Sequence, residues 1–193
     1  MKNLLYLFVF FIIACSSAKV VSSWKDPDTT IRETNYEKVM IAVLASNEGR
    51  RRAAEDFLAQ KYPKLSPSYQ VFSGVDEKSI DKEQVKNILT NQGFDAVIVM
   101  RLVDVSKETN YVPGSYSGGF YGYYGSYWGG YYNPGYYSED TKYTVSTDVF
   151  SLKKDKLVWS AVTETYNSTK IETTIEGIAY SVTKEMKSKG FLQ

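Results

Sequence analysis

The chain has 193 residues, 23 basic and 22 acidic side chains, 43% hydrophobic residues and 15% aromatics. That length suits one domain with appendages, the composition excludes a disordered or collagen-like chain, and the even charge speaks against a nucleic-acid binder. Histidine is absent and cysteine occurs once, which removes the commonest general base, the commonest metal ligand, internal disulfides and Cys-rich zinc sites.

Lys2 supplies one positive charge, and Leu4 to Ala14 is then an unbroken apolar run that ends at Cys15. Eleven residues are too few to span a bilayer core, which needs about 20. A short apolar run behind a basic flank is the pattern of a secretory signal, here residues 1–14. Ile12-Ile13-Ala14-Cys15 resembles the lipobox of bacterial lipoproteins, a small residue before an obligatory cysteine. That resemblance implies cleavage before Cys15 and acylation of Cys15, with several acyl chains giving a firm anchor. Ser16 follows Cys15, and by resemblance to lipoprotein sorting rules this favours the outer membrane. Removing residues 1–14 leaves 22 basic and 22 acidic side chains, so the mature chain is electrically balanced.

Residues 15–35 read as a lipidated tether, small and polar, with Trp24 expected to dock on the domain. A periplasmic domain should then occupy residues 36–193. Lys38 to Leu44 is a continuous apolar run, the mark of a strand buried on both faces. Ser46, Asn47 and Glu48 start a helix that runs to about Tyr62, where Pro63 and Pro67 end it. Ser68 to Ser73 reads as a short strand. Asp81 caps a helix over Lys82 to Gln92, with Gly93 as its stop. Asp95 to Val105 is a second central strand. Thr141 to Lys153 and Lys156 to Tyr166 alternate as a hairpin turning at Lys154-Asp155. Glu172 to Lys189 is the last helix. The pattern predicts an α/β fold, a mixed five-stranded sheet in the order β-α-β-α-β-β-β-α with helices packed on it.

Between the strands lies an insertion, Tyr111 to Tyr137, of 27 residues with 10 of the 17 tyrosines, 8 of the 13 glycines and no charged side chain. Loops this long inside a domain are usually functional or disordered. Tyr and Trp offer flat amphipathic contact area at low entropic cost, which makes Tyr121, Tyr123, Tyr124, Tyr127, Trp128, Tyr131 and Tyr132 the candidate partner-binding residues. The competing reading is a low-complexity expansion folded back on the sheet edge.

No catalytic arrangement emerges: Ser–His and Cys–His pairs are excluded, and no phosphate-binding glycine motif follows a strand. Arg50, Arg51 and Arg52 sit in a first helical turn, where the helix dipole disfavours cations, and Glu55 and Asp56 stand at pairing distance along the helix. They read as a surface network, or as an anion-binding patch. Arg101 interrupts an apolar strand and must reach a carboxylate, a carbonyl or the sheet margin; Asp148 and Glu164 are its expected partners.

Ser23-Trp24-Lys25-Asp26-Pro27, Arg51 to Phe57, Gly93 to Val97, Tyr111-Val112-Pro113-Gly114 and Leu157 to Ala161 occur in the order seen in one family of uncharacterised, lipobox-bearing bacterial lipoproteins, domain of unknown function 4136. The chain resembles that family from about residue 20 to 192. The resemblance implies an envelope lipoprotein with an α/β domain and supplies no catalytic residues.

The leading expectation is therefore a non-enzymatic envelope protein without metal or cofactor, held by its acyl chains at the outer membrane and facing the periplasm. It would bind or scaffold another envelope component through its domain and aromatic loop. The alternative is glycan binding or processing, since aromatic rings stack on sugar faces. A third reading is homo-oligomerisation through the Tyr-rich loops.

Overall fold

A computed structural model describes residues 18–75, 81–112, 136–168 and 170–193. The chain runs β1 (Ala18–Lys25), β2 (Val39–Leu44), α1 (Glu48–Lys61), β3 (Leu65–Pro67), α2 (Ser68–Val71) and α3 (Lys82–Asn91). It continues through β4 (Ala96–Val112), β5 (Tyr136–Ser151), β6 (Lys156–Tyr166) and α4 (Ile171–Ser188). The strands form one mixed sheet in the order β1-β6-β5-β4-β2-β3.

Local chemistry sets the helix starts. Asn47 accepts the Arg50 amide at the head of α1. Asp81 and Gln84 close a reciprocal capping box on α3, satisfying two amide donors that a helix start leaves over. Gly93 takes a φ of 73° just beyond α3, a conformation that costs glycine least.

The expected five-stranded sheet is overturned, because among the described residues the sheet has six strands and four helices accompany it. The added strand is β1, which lies in the segment read as a tether and pairs antiparallel with β6 along the sheet edge. Its apolar alternation is short, Ala18 and Val20. Beyond them the inward positions are polar and bond to the end of α4: Ser23 Oγ donates to Glu185 at 2.8 Å, and Lys25 Nζ to the Gly190 carbonyl at 3.1 Å. The strand expected at Ser68 to Ser73 is also displaced. β3 covers residues 65–67, and Ser68–Val71 is a single helical turn. Pro67 closes β3 on the outermost strand, where a missing amide breaks no ladder. β4 and β5 overrun their expected limits and pair as a ribbon to Val112 and Tyr136. Ser106 to Asn110 is too polar to betray a strand by hydropathy. The signal segment, Cys15 and the seven candidate aromatic residues of the insertion lie outside the described residues.

Helices α1 and α4 cover one face of the sheet. Trp159 is fully buried there, its ring 5.2 Å from that of Phe191, among Ile41, Leu58, Met100, Val149 and Ile178. Helix α3 covers only the β2–β4 end of the other face, through Leu89 packed with Met40, Val97 and Phe94.

Two carboxylates hold this frame. Asp95 accepts the amides of Glu37 and Lys38 at 2.7 and 3.0 Å, while its own amide donates to the Lys38 carbonyl at 2.9 Å. Glu55, fully buried on α1, accepts the Val43 amide at 2.9 Å and the Ser68 hydroxyl at 2.8 Å. It thereby ties α1 to β2 and to the start of α2. Around the sheet edge, Asp26 pairs with Lys156 at 2.8 Å and Glu33 with Lys154 at 3.0 Å. The Thr30 amide, with Lys154, holds the Glu33 carboxyl down to about 2.

Glu55→Ala would leave a buried amide and a buried hydroxyl without partners. Urea unfolding should show a loss of about 3 kcal/mol, and Glu55→Gln, which keeps an acceptor oxygen, should lose less.

Candidate functional site

The face that α3 leaves uncovered is the candidate site. Cross-strand register defines it, because successive residues of a strand point to opposite faces. Trp24 stands opposite Ser160, Ser160 opposite Asp148, and Asp148 opposite Val99. One row on, Ser22, Val162, Ser146 and Arg101 line up in the same way. Toward the ribbon the same face carries Glu164, Lys142, Glu108, Asp140, Asn110 and, at the end of β6, Tyr166. From Ser160 to Tyr166 is six residues of strand, about 20 Å.

Two aromatic rings stand open toward the two ends of this stretch. Trp24 is 47% exposed and Tyr166 41% exposed, and Tyr136 on the ribbon lies on the same face at 64%. Between Trp24 on β1 and Tyr136 on the ribbon the surface is polar and ordered, with Tyr166 partway along it. Asp148 accepts from Ser146 at 3.0 Å and from Ser160 at 2.6 Å. Asp140 accepts the side-chain amides of Asn110 at 2.8 Å and Asn167 at 2.7 Å, and these two bonds, Asn167 foremost, hold its carboxyl below the usual range. Lys142 bonds to Glu108 and stands 3.8 Å from Glu164, and the Glu108 bond raises its ammonium above the ordinary value. Partial burial, with Glu108 and Glu164 nearby, pushes the Tyr166 phenol up. Carboxylates at 104, 108, 140, 148 and 164 face cations at 19, 101 and 142, so the surface is net negative.

The expected pairing of Arg101 with Asp148 or Glu164 does not form. Serine hydroxyls reach Asp148 first, and Lys142 is the cation beside Glu164. Arg101 projects instead at the sheet margin, exposed, because β2 ends opposite it at Leu44. The arginine run also differs from expectation. Arg51 and Arg52 both pair with Glu48, at 2.9 and 2.7 Å, while Glu55 turns inward and Asp56 accepts the Tyr69 hydroxyl. Arg52 lies over the Tyr69 ring at 4.9 Å, which makes the run a surface network.

Sequence reasoning singled out Asp148 and Glu164 for another purpose and missed Ser160, Asn110, Asp140 and Asn167. The one available signal was the outward half of the Lys156–Tyr166 alternation, Ser160, Val162, Glu164 and Tyr166, which is mostly polar and ends in tyrosine. Among the described residues no cluster of three or more Cys, Asp or Glu could hold a metal ion, and no helix is long and apolar enough to cross a membrane.

No family model matches the chain, that of the resembled family included, and no curated protein matches it. Among solved structures it is similar to the PelC dodecamer from Paraburkholderia phytofirmans, with TM-score 0.42 and 11% identity over 85% of this chain and 96% of that one. Lipoprotein GNA1162 from Neisseria meningitidis gives TM-score 0.39 and 8% identity over 78% and 98%. A minor lipoprotein from Acinetobacter baumannii gives 0.34 and 10% over 80% and 94%. These likenesses are distant and concern the fold alone.

The Asp140 carboxyl, with its pKa lowered, stays ionised as pH falls through the ordinary carboxylate range near 3.8. Carboxyl carbon shifts in NMR should place its midpoint below that value, and Asn167→Ala should move the midpoint up toward it.

Proposed function

We propose that the chain is a non-enzymatic, lipid-anchored protein of the bacterial envelope whose open sheet face binds a glycan free of acidic sugars. The observation that carries this reading is the array on the open face from Trp24 through Asp148 and Tyr166 to Asp140 and Tyr136. The C–H face of a pyranose stacks on an aromatic ring. Its hydroxyls find donors and acceptors in the fixed serines and carboxylates near Trp24 and in the carboxylates and carboxamides beyond Tyr166. Net negative charge disfavours uronic or sialic acids through like-charge repulsion.

The candidate loop residues, Tyr121, Tyr123, Tyr124, Tyr127, Trp128, Tyr131 and Tyr132, belong to the segment that joins the two ribbon strands in sequence and remain candidate partner-binding residues. The lipobox supports the envelope location, and Cys15 would carry the lipid. Cys15→Ala should abolish palmitate labelling and leave an unprocessed chain that still carries residues 1–14, read as a mass increase on the isolated protein.

A glycan array probed with the Cys15→Ala mature chain tests the binding itself. Neutral or amino-sugar glycans should bind, and Trp24→Ala and Tyr166→Ala should each weaken binding about three- to tenfold, the worth of one stacked ring. Absence of binding by a chain with an intact thermal transition would refute the reading. Binding that survives both substitutions would place it elsewhere on the chain.

A further inference from the structure

The covered face of the sheet holds a second feature, independent of the glycan surface. Between the sheet and helices α1 and α4 lies a cavity of about 440 Å³, within the roughly 300–1,000 Å³ of small-molecule sites. Ile98, Met100 and Val149 form its floor, Leu58 one wall, and Ile178 and Val182 the other. It extends from the level of Val39 to the level of Met100 and Thr147, four residues of strand or about 13 Å. The single charged side chain that borders it is Lys64, half-exposed, 3.4 Å from Glu37 and bonded to the Tyr36 carbonyl at 2.8 Å.

Among the polar residues of the lining, Thr147 differs from Thr34, Asn35 and Thr183 in being a buried strand residue with an unpaired hydroxyl. It is 4% exposed, it borders the cavity, and its Oγ1 has no hydrogen-bond partner. A buried hydroxyl left unpaired costs free energy, and native proteins leave few of them without a reason. One oxygen atom on an otherwise hydrocarbon ligand would satisfy it. A carboxylate or phosphate at that depth would lose its hydration without compensation from the lining, whose one charged side chain, Lys64, stands at the opposite end.

We infer that this cavity binds a neutral single-chain lipid carrying one hydrogen-bonding oxygen at its buried end, such as a long-chain alcohol, ketone or ester. The alkyl chain occupies the channel between Leu58 and Val182, and Thr147 pairs with the oxygen. The rim at Lys64 and Asn35 meets water.

The test uses the Cys15→Ala mature chain and the natively lipidated protein in nanodiscs, with N-phenyl-1-naphthylamine as a fluorescent apolar probe. The dye should bind saturably, and 1-decanol should displace it at least tenfold more strongly than decanoate. Thr147→Val should weaken 1-decanol about three- to tenfold, the net worth of one hydrogen bond, while leaving dye affinity unchanged. Thr147→Ser, which keeps the hydroxyl, should hold 1-decanol as the parent does, and Val182→Trp should block both ligands with the thermal transition retained. The inference is overturned if a folded chain shows no saturable dye binding, if decanoate binds as well as 1-decanol, or if Thr147→Val changes nothing. It is equally overturned if only the Cys15→Ala chain binds, since the protein's own acyl groups would then be the occupant.

Discussion

Asp95 fixes the register on which everything else in the sheet depends. Its carboxylate receives two successive amides at the start of β2 while its own amide enters the ladder toward Lys38. The two central parallel strands are thus pinned at one end, and every later cross-strand pair follows from that alignment. Slip by one residue would exchange the two faces of β4, sending Arg101 into the core and Met100 outward. The neighbours β5 and β6 inherit the alignment through antiparallel pairing. The division between covered and open faces is therefore a consequence of one side chain placed before a strand.

The unequal covering of the two faces follows from the supply of helices. Two long helices, α1 and α4, lie on the side of Trp159, and the ten-residue α3 is too short to cover more than one end of the other side. Strands beyond its reach must present a polar outward row, and β5 and β6 do so with Thr144, Ser146, Asp148, Ser160 and Glu164. A bare polar face between exposed rings is what remains. The same shortage leaves the ribbon of β4 and β5 standing beyond both layers.

Much of this was legible in the residues. Lys38 to Leu44 and Asp95 to Val105 announce buried strands by continuous apolarity, and Asp81 with Gln84 announces a helix start by its capping chemistry. What escaped notice was polar and held by backbone pairing. β1 has few apolar positions because an edge strand needs hydrogen bonds more than burial, and Ser106 to Asn110 pair across a ribbon that hydropathy cannot see. Glu55 looked like a partner for Arg51 along the helix. Its role inside depends on Val43 and Ser68, residues brought together only by the folded chain. The open face was illegible for the same reason, since its members come from β1, β4, β5 and β6.

On the proposed lipid anchor at Cys15, the position of β1 would have a mechanical consequence. Two residues separate Cys15 from Ala18, a leash of at most about 11 Å. Ala18 pairs with Thr165, and Thr165 with Tyr143, at the end of the sheet from which the ribbon departs. The ribbon continues from Tyr143 to Tyr136, seven residues or about 24 Å. A ribbon longer than the leash beside it cannot point straight down at the bilayer. Held by such an anchor, the domain would have to lean on its hinge at Ala18 with the ribbon turned away from the bilayer normal, so that the lipid plane itself would limit which way the molecule looks.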